Sequence, residues 1–424
     1  MSRVVIIGGG WSGCAAAISA RKAGAEVILI ERTDMLLGTG MVGGIMRNNG
    51  RFTAAEEMAA MGGGELFEIC DRNSRHKNIE FPGHKHAALY DIGTIHGAVS
   101  DYLKAIGVQF HYKNRISKIE VSNGNISCVQ EQEGRIFEGD VFIDATGTAG
   151  PTANCIKYGN GCAMCILRCP SFGGRVSITG LAGIVEYVGK KQDGSYGAMS
   201  GSCKLYKESL AKEIRDELDL KGVVVIPIPR NLVEDHLSVK ACQQYALKEF
   251  KDNIILLDTG HAKLMTPFYN LEMLRRIPGF ENARYEDPYA GGIGNSMRYF
   301  AMAPRENSMK VEGVQNLFCC GEKAGLLVGH TEAIVTGTLA GHNSARLVSK
   351  KPLLELPRGL ATGDAVAYVR EEMKTEKGLT KKYTFSGSVY FERMLKLGLY
   401  STDTGEIAKR VEQNGVKGVF SKLN

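Results

Sequence analysis

The segment Gly8-Gly9-Gly10-Trp11-Ser12-Gly13 constrains the fold more than any other stretch of the chain. It joins an apolar, β-branched run from Arg3 to Ile7 to the helix-favouring run from Cys14 to Ala23. Gly24 ends that helix, and Ala25 to Glu31 predicts a second strand. Apolar runs without polar alternation belong to parallel strands buried on both faces, so the pattern is a βαβ unit. Gly8, Gly10 and Gly13 have the G-x-G-x-x-G spacing. The first permits a tight turn, the second lets the backbone approach a pyrophosphate, and the third lets helix pack on strand. Trp11 and Ser12 open the helix, whose free N–H groups and positive dipole end favour an anion. Glu31, 18 residues beyond Gly13, stands where a carboxylate accepts a ribose hydroxyl. Arg32 beside it faces adenine or solvent. The expectation is an α/β dinucleotide-binding fold.

The same logic places further elements. Ala98 to Ala105 reads as helix, and Val108 to Tyr112, Ile116 to Val121 and Ile126 to Glu131 as strands, with Asn123-Gly124 as a hairpin turn. Val141 to Gly147 is another buried strand running into glycine, and Asn316 to Gly321 repeats that pattern late in the chain. A small-residue helix follows from about Glu332 to Val348. Between them, 151 to 290 mixes cysteines, a charged helix near Leu210 to Leu218 and a strand at Val223 to Ile228. The expected organisation is a nucleotide domain at 1–150 and 291–350, an α+β substrate domain inserted at 151–290, and a helical region at 351–424.

Composition removes other classes. A chain of 424 residues with 44% hydrophobic content builds substantial cores, which excludes wholesale disorder. No apolar run reaches the ~18 residues of a membrane span, and the N-terminal run is too short for a signal-peptide core. A cytoplasmic location is expected. The net charge of +6 suits an anionic ligand without the dense basic stripe of a dedicated nucleic-acid binder. The 11 cysteines are an odd number, which fits reduced thiols, ligands or redox groups better than a disulfide framework.

Three segments name the dinucleotide. Ile143-Asp144-Ala145-Thr146-Gly147 resembles the Ala-Thr-Gly stretch of flavoproteins of the glutathione-reductase fold. Asn316 to Gly325 is similar to their late glycine-acid motif, and Glu31 to Gly44 to the loop that passes the flavin in a large bacterial family of FAD-dependent oxidoreductases. Arg276-Ile277-Pro278-Gly279-Phe280-Glu281-Asn282-Ala283 and the stretch from Gly329 to Gly341 resemble the FAD-dependent tRNA-modifying proteins. Those include the folate- and FAD-dependent tRNA uracil methyltransferase and the glucose-inhibited division protein A. These resemblances imply FAD, held by Gly8, Gly10, Trp11, Ser12, Gly13, Glu31, Arg32, Gly38, Met41, Val42, Gly43, Ala145, Thr146, Gly147, Gly321, Glu322, Gly329 and Thr331. A homodimer is implied by analogy alone.

Cys155, Cys162, Cys165 and Cys169-Pro170 crowd into one short stretch. The last three match the end of a ferredoxin ligand run, but Gly159 stands where its first cysteine would be, so an iron–sulfur cluster departs from the pattern. Zinc would use the same four thiolates without a second paired knuckle. Cys162 and Cys165 also form a C-x-x-C dithiol able to exchange electrons with a flavin, with Arg168 as its cation or as an anion-binding group. Plain core packing explains the same residues. His330, between a glycine and the late helix, is a candidate to donate to the flavin or protonate a substrate, or to cap the helix. His84 and His86 share a loop with the side chains to bind a metal, but an exposed polar loop is the better reading of the stretch.

The main functional expectation is an FAD-dependent oxidoreductase acting on a small molecule or thiol, with Cys162, Cys165, Arg168 and His330 on the substrate side and an electron-donor protein as one partner. The alternative is a flavin- and folate-dependent RNA-modifying enzyme. Residues 351–424 hold 13 Lys or Arg against 9 Asp or Glu, which helps with phosphates, although an interspersed surplus also marks a solvated helical face. A second alternative is a non-catalytic FAD-binding protein.

Overall fold

Arg3–Ile7 becomes the central strand of a five-stranded parallel sheet. The order is Leu317–Cys319, Val141–Asp144, Arg3–Ile7, Glu26–Ile30 and Gln109–His111. The computed structural model describes residues 2–147, 176–196, 198–199, 203–235, 237, 245–266, 269–286, 297–298 and 300–423. Val4, Val5 and Ile6 are fully buried, as a strand with helices over both faces requires. The chain leaves this sheet after Asp144 and re-enters it at Leu317, so residues far apart in sequence share one sheet.

Helix Trp11–Lys22 packs against helix His330–Val348. Gly337 faces Ser12 and Gly341 faces Ala16 across the contact, and small residues there let the backbones meet. A Cβ on Gly337 would lie 2.2 Å from the Ser12 carbonyl oxygen, and one on Gly341 would lie 2.2 Å from that of Ala16. This explains the glycines inside a helix, where each costs about 1 kcal/mol relative to alanine.

The inserted region carries a four-stranded antiparallel sheet ordered Cys203–Leu205, Ala262–Leu264, Asn253–Asp258 and Val223–Pro227. It has a core of its own, including Leu205, Leu218, Leu256, Leu264 and Phe280. The charged helix runs over Lys212–Lys221, slightly later than the sequence suggests, because Gly222 in the left-handed region stops it (φ 76°). The late helix starts earlier than the sequence suggests, at His330.

One expectation is corrected. His84 and His86 lie on strand His84–Tyr90, which pairs with Ser74–Phe81, and not in an exposed loop. His84 is buried between the rings of Phe81 and Tyr245, with its Nδ1 2.9 Å from Asn48 Nδ2. The charged residues of Ser74–Phe81 hide the strand period because that strand is mostly exposed.

The C-terminal region is helical, over Ala361–Glu372, Ser388–Lys396 and Thr404–Gln413. It docks on helix Gly50–Ala60. The fully buried Glu57 carboxylate of that helix accepts the backbone N–H groups of Ala361 (2.8 Å) and Thr362 (2.9 Å) and the Thr362 hydroxyl. It thereby caps the first C-terminal helix from outside. Asp364 holds Arg393 through two 2.7 Å bonds, tying the first two of these helices together.

Two outcomes follow from this packing. At an exposed helical site Gly→Ala adds stability, whereas Gly337→Ala should lose about 1–3 kcal/mol by forcing the helices apart; equilibrium denaturation gives the sign. Burial raises the Glu57 carboxyl from 4.5 to about 7, against the hydrogen bonds from Thr362 and Ala361 that lower it. The folded state then holds that proton more tightly than the unfolded one. Stability present below pH 4.5 should fall as the pH rises through 7, by up to about 3 kcal/mol. Glu57→Gln should flatten that slope, as seen in denaturation curves at stepped pH.

Candidate functional site

The glycine turn opens onto a cavity enclosing ≈ 1610 Å³ of empty space, its open mouth included. Its lining runs from Glu31 and Arg32 past the glycine turn to Gly43 and His330, an extended groove. Each glycine of the fingerprint has a distinct place. Gly8 has φ +109°, and a Cβ on it would meet the Ala145 carbonyl oxygen at 2.3 Å. A Cβ on Gly13 would meet the Gly8 carbonyl oxygen at 1.9 Å, so this position packs helix on strand. Around Gly10 nothing lies within 4 Å, and that residue faces the cavity.

Glu31 marks one end. Its Oε2 accepts the Gly9 N–H at 2.8 Å, and its Oε1 accepts the N–H and hydroxyl of Thr33 at 2.9 Å each. A carboxylate has about four acceptor positions, so this side chain is locked in place with capacity left for a hydroxyl. Arg32, Thr33, Asn114 and Arg115 complete this end. The middle is formed by Gly8, Gly10, Trp11, Ser12, Ala145, Thr146 and Gly147. The Ala-Thr-Gly turn is fixed by the buried Asp144, whose Oδ1 accepts the Thr146 hydroxyl at 2.6 Å and whose Oδ2 accepts the Thr179 N–H and hydroxyl at 2.9 Å.

The other end is assembled from Val42, Gly43, Ile45, Arg51, Tyr245, Lys263, Met265, Glu322, Val328, Gly329 and His330. Tyr90 donates its proton to the Gly40 carbonyl at 2.7 Å. Its 3.0 Å contact with His330 Nδ1 therefore has His330 as donor. This tautomer makes Nε2 the acceptor nitrogen of the ring, on the side of Gly43. Arg51 lies with its Nε 3.1 Å from both oxygens of the fully buried Glu332, which also accepts the Thr384 hydroxyl and the Phe385 N–H. This buried pair fixes the start of the late helix, and with it His330.

Gly38 also lines the cavity, as does Gly321, whose N–H donates to Thr336 Oγ1. Met41 and Thr331 do not line it: the Met41 carbonyl accepts from Lys204 Nζ at 3.4 Å, and the buried Thr331 hydroxyl contacts Met46 Sδ. Cys155, Cys162, Cys165, Arg168 and Cys169 lie outside the described residues. Among the described residues no group of three or more His, Cys, Asp or Glu is arranged to hold a metal. The described cysteines, Cys14, Cys70, Cys128, Cys203, Cys319 and Cys320, are free and buried. Burial pushes the Cys203 and Cys319 thiols up to about 12, so they stay protonated. Among the described residues no helix is long and apolar enough to cross a membrane.

Arg51, Lys263, Tyr245 and Met265 carry no motif that would have announced them. They reach the cavity through tertiary packing, from helix Gly50–Ala60 and from the region between Asp144 and Leu317.

The family model described as glucose inhibited division protein A matches residues 3–224 and 248–352. The chain belongs to this family. The fold matches GidA of Aquifex aeolicus with a TM-score of 0.69 at 17% identity, covering 98% of this chain and 74% of that one. A second crystal form of the same protein gives 0.63 at 16% identity, over 97% and 78% of the two chains. Two curated relatives match shorter stretches. The Methylenetetrahydrofolate--tRNA-(uracil-5-)-methyltransferase TrmFO of Dictyoglomus thermophilum is 31% identical over 107 residues, 25% of this chain and 23% of its own. The tRNA uridine 5-carboxymethylaminomethyl modification enzyme MnmG of Metamycoplasma arthritidis is 29% identical over 109 residues, 25% of this chain and 17% of its own. The matched stretch thus spans less than a quarter of either relative.

Gly10→Val should separate folding from binding. The side chain enters open space, so stability should stay within about 0.5 kcal/mol, while dinucleotide affinity falls at least tenfold. Gly13→Val should unfold the protein, because its Cβ has no room. Thermal melts and ligand titration of both variants check this.

Proposed function

We propose that this protein is an FAD-dependent enzyme that modifies a uridine of tRNA. The observation that carries the proposal is membership of the glucose inhibited division protein A family over most of the chain, including the cavity-forming segments. The names of the two curated relatives, both tRNA uridine or uracil enzymes, support the substrate class. This places the RNA alternative above the small-molecule or thiol oxidoreductase. The nucleotide domain is taken as 1–150 with 291–350, and the inserted domain as the part that selects substrate.

Bound FAD supplies hydride or electron transfer. The residues that would hold it are those along the cavity: Glu31 toward a ribose, the Gly8–Gly13 turn and the helix start toward the pyrophosphate, and Gly43, Gly321 and Gly329 beside the ring system. The unobstructed space at Gly10 fits a pyrophosphate pressed on the backbone. His330 is the proton-handling residue: its Nδ1–H is held by Tyr90, so Nε2 is oriented to accept a proton at the cavity. Arg51 and Glu332 hold that ring in register. Cys162, Cys165 and Arg168 remain proposed substrate-side groups, and RNA is the proposed macromolecular partner.

Nucleoside mass spectrometry of tRNA from cells with and without the gene tests this. One modified uridine should disappear with the gene, and return with the wild-type copy but not with Gly10→Val. An unchanged tRNA profile, together with flavin reduction by a dithiol or a small metabolite, would overturn the RNA assignment in favour of the oxidoreductase.

A further inference from the structure

Lys263 lies on strand Ala262–Leu264, where Ala262 and Leu264 point into the core of the second domain. Alternation along a strand sends Lys263 to the opposite face. There its Nζ donates to the Val42 carbonyl at 2.7 Å, and the side chain, only 5% exposed, lines the cavity beside Gly43 and His330. The residue directly opposite on the neighbouring strand is Lys204, whose Nζ reaches the Met41 carbonyl. Like charges directly opposite across strands are unfavourable unless negative potential faces them. The carbonyls of Met41 and Val42 provide part of it, at the end of the short turn Gly40–Gly43. Burial, reinforced by the ammonium groups of Lys204 and Lys263, pushes His261 down to about 2, so it stays neutral.

The geometry points to Lys263 as a positioning residue through which the second domain sets both the seat and the electron affinity of the bound flavin. Its hydrogen bond fixes the Val42–Gly43 backbone against the cavity. Its charge, at the end where Gly43 and His330 meet, favours the flavin once it has taken up electrons and become more negative. Lys263 thereby joins Lys204 in tying the inserted sheet to the loop that borders the cavity. This inference rests on the FAD assignment above, and the test separates the two.

The test compares wild-type holoprotein with Lys263→Met, which keeps length and removes charge, and Lys263→Arg, which restores charge. FAD affinity is read by titration and the midpoint potential by dye equilibration. Lys263→Met should bind FAD about tenfold more weakly, as loss of a charged hydrogen bond implies. It should also favour reduced over oxidised flavin about tenfold less, a fall of about 30 mV for a two-electron couple. Lys263→Arg should recover most of both. Lys263→Gln gives the same neutral comparison if the Met variant does not fold. FAD bound by either neutral variant with wild-type affinity and potential would overturn the role of Lys263 while leaving the FAD assignment standing. A folded wild-type protein that takes up no FAD would overturn both.

Discussion

The backbone-to-backbone seat between helix Trp11–Lys22 and helix His330–Val348 is the contact on which the cavity depends. Gly337 and Gly341 bring the late helix against the Ser12 and Ala16 carbonyls, and no larger side chain fits there. That approach delivers the Gly321–His330 segment to the glycine turn at Gly8–Gly13, although more than three hundred residues separate them. The parallel sheet supplies the same convergence from below, since Val141–Asp144 pairs with Arg3–Ile7 on one side and Leu317–Cys319 on the other. A site formed at the carboxyl ends of such strands is the general behaviour of open α/β sheets.

Buried charge does the finer positioning. Asp144 holds the Thr146 turn, Glu31 holds the Gly9 turn, and Glu332 with Arg51 holds the helix that carries His330. Each carboxylate accepts several N–H or O–H donors, which is what makes burial tolerable. Removing one member of such a set leaves an uncompensated group, at a cost of about 3–5 kcal/mol for a buried ion pair. The His330 end of the cavity is therefore costly to alter. Glu57 extends the scheme to the C-terminal helices, which share helix Gly50–Ala60 with Arg51.

What could be read from the sequence was what repeats locally. The βαβ unit, the glycine spacing, Glu31 and the two late glycine segments each occupy one short window, where backbone sterics and strand period leave few alternatives. The structure brings most of the cofactor residues named from those windows to one cavity. Arg51, Tyr245 and Lys263 were not legible, because a buried arginine or lysine looks like any surface cation until its partner arrives from another part of the chain. His84 misled for a related reason: Pro82-Gly83 announces a turn, and only the packing of Phe81 and Tyr245 reveals the buried ring. Family membership supports the tRNA reading proposed above over a small-molecule oxidoreductase, a choice that no isolated residue of the chain makes.

The most direct test of the central claim is a visible absorption titration of the purified, folded protein with FAD. The account predicts saturation at one flavin per chain, with protein-perturbed bands near ~370 and ~450 nm and loss of that saturation in Gly10→Val. A folded protein whose spectrum remains that of free flavin at every ratio would contradict it.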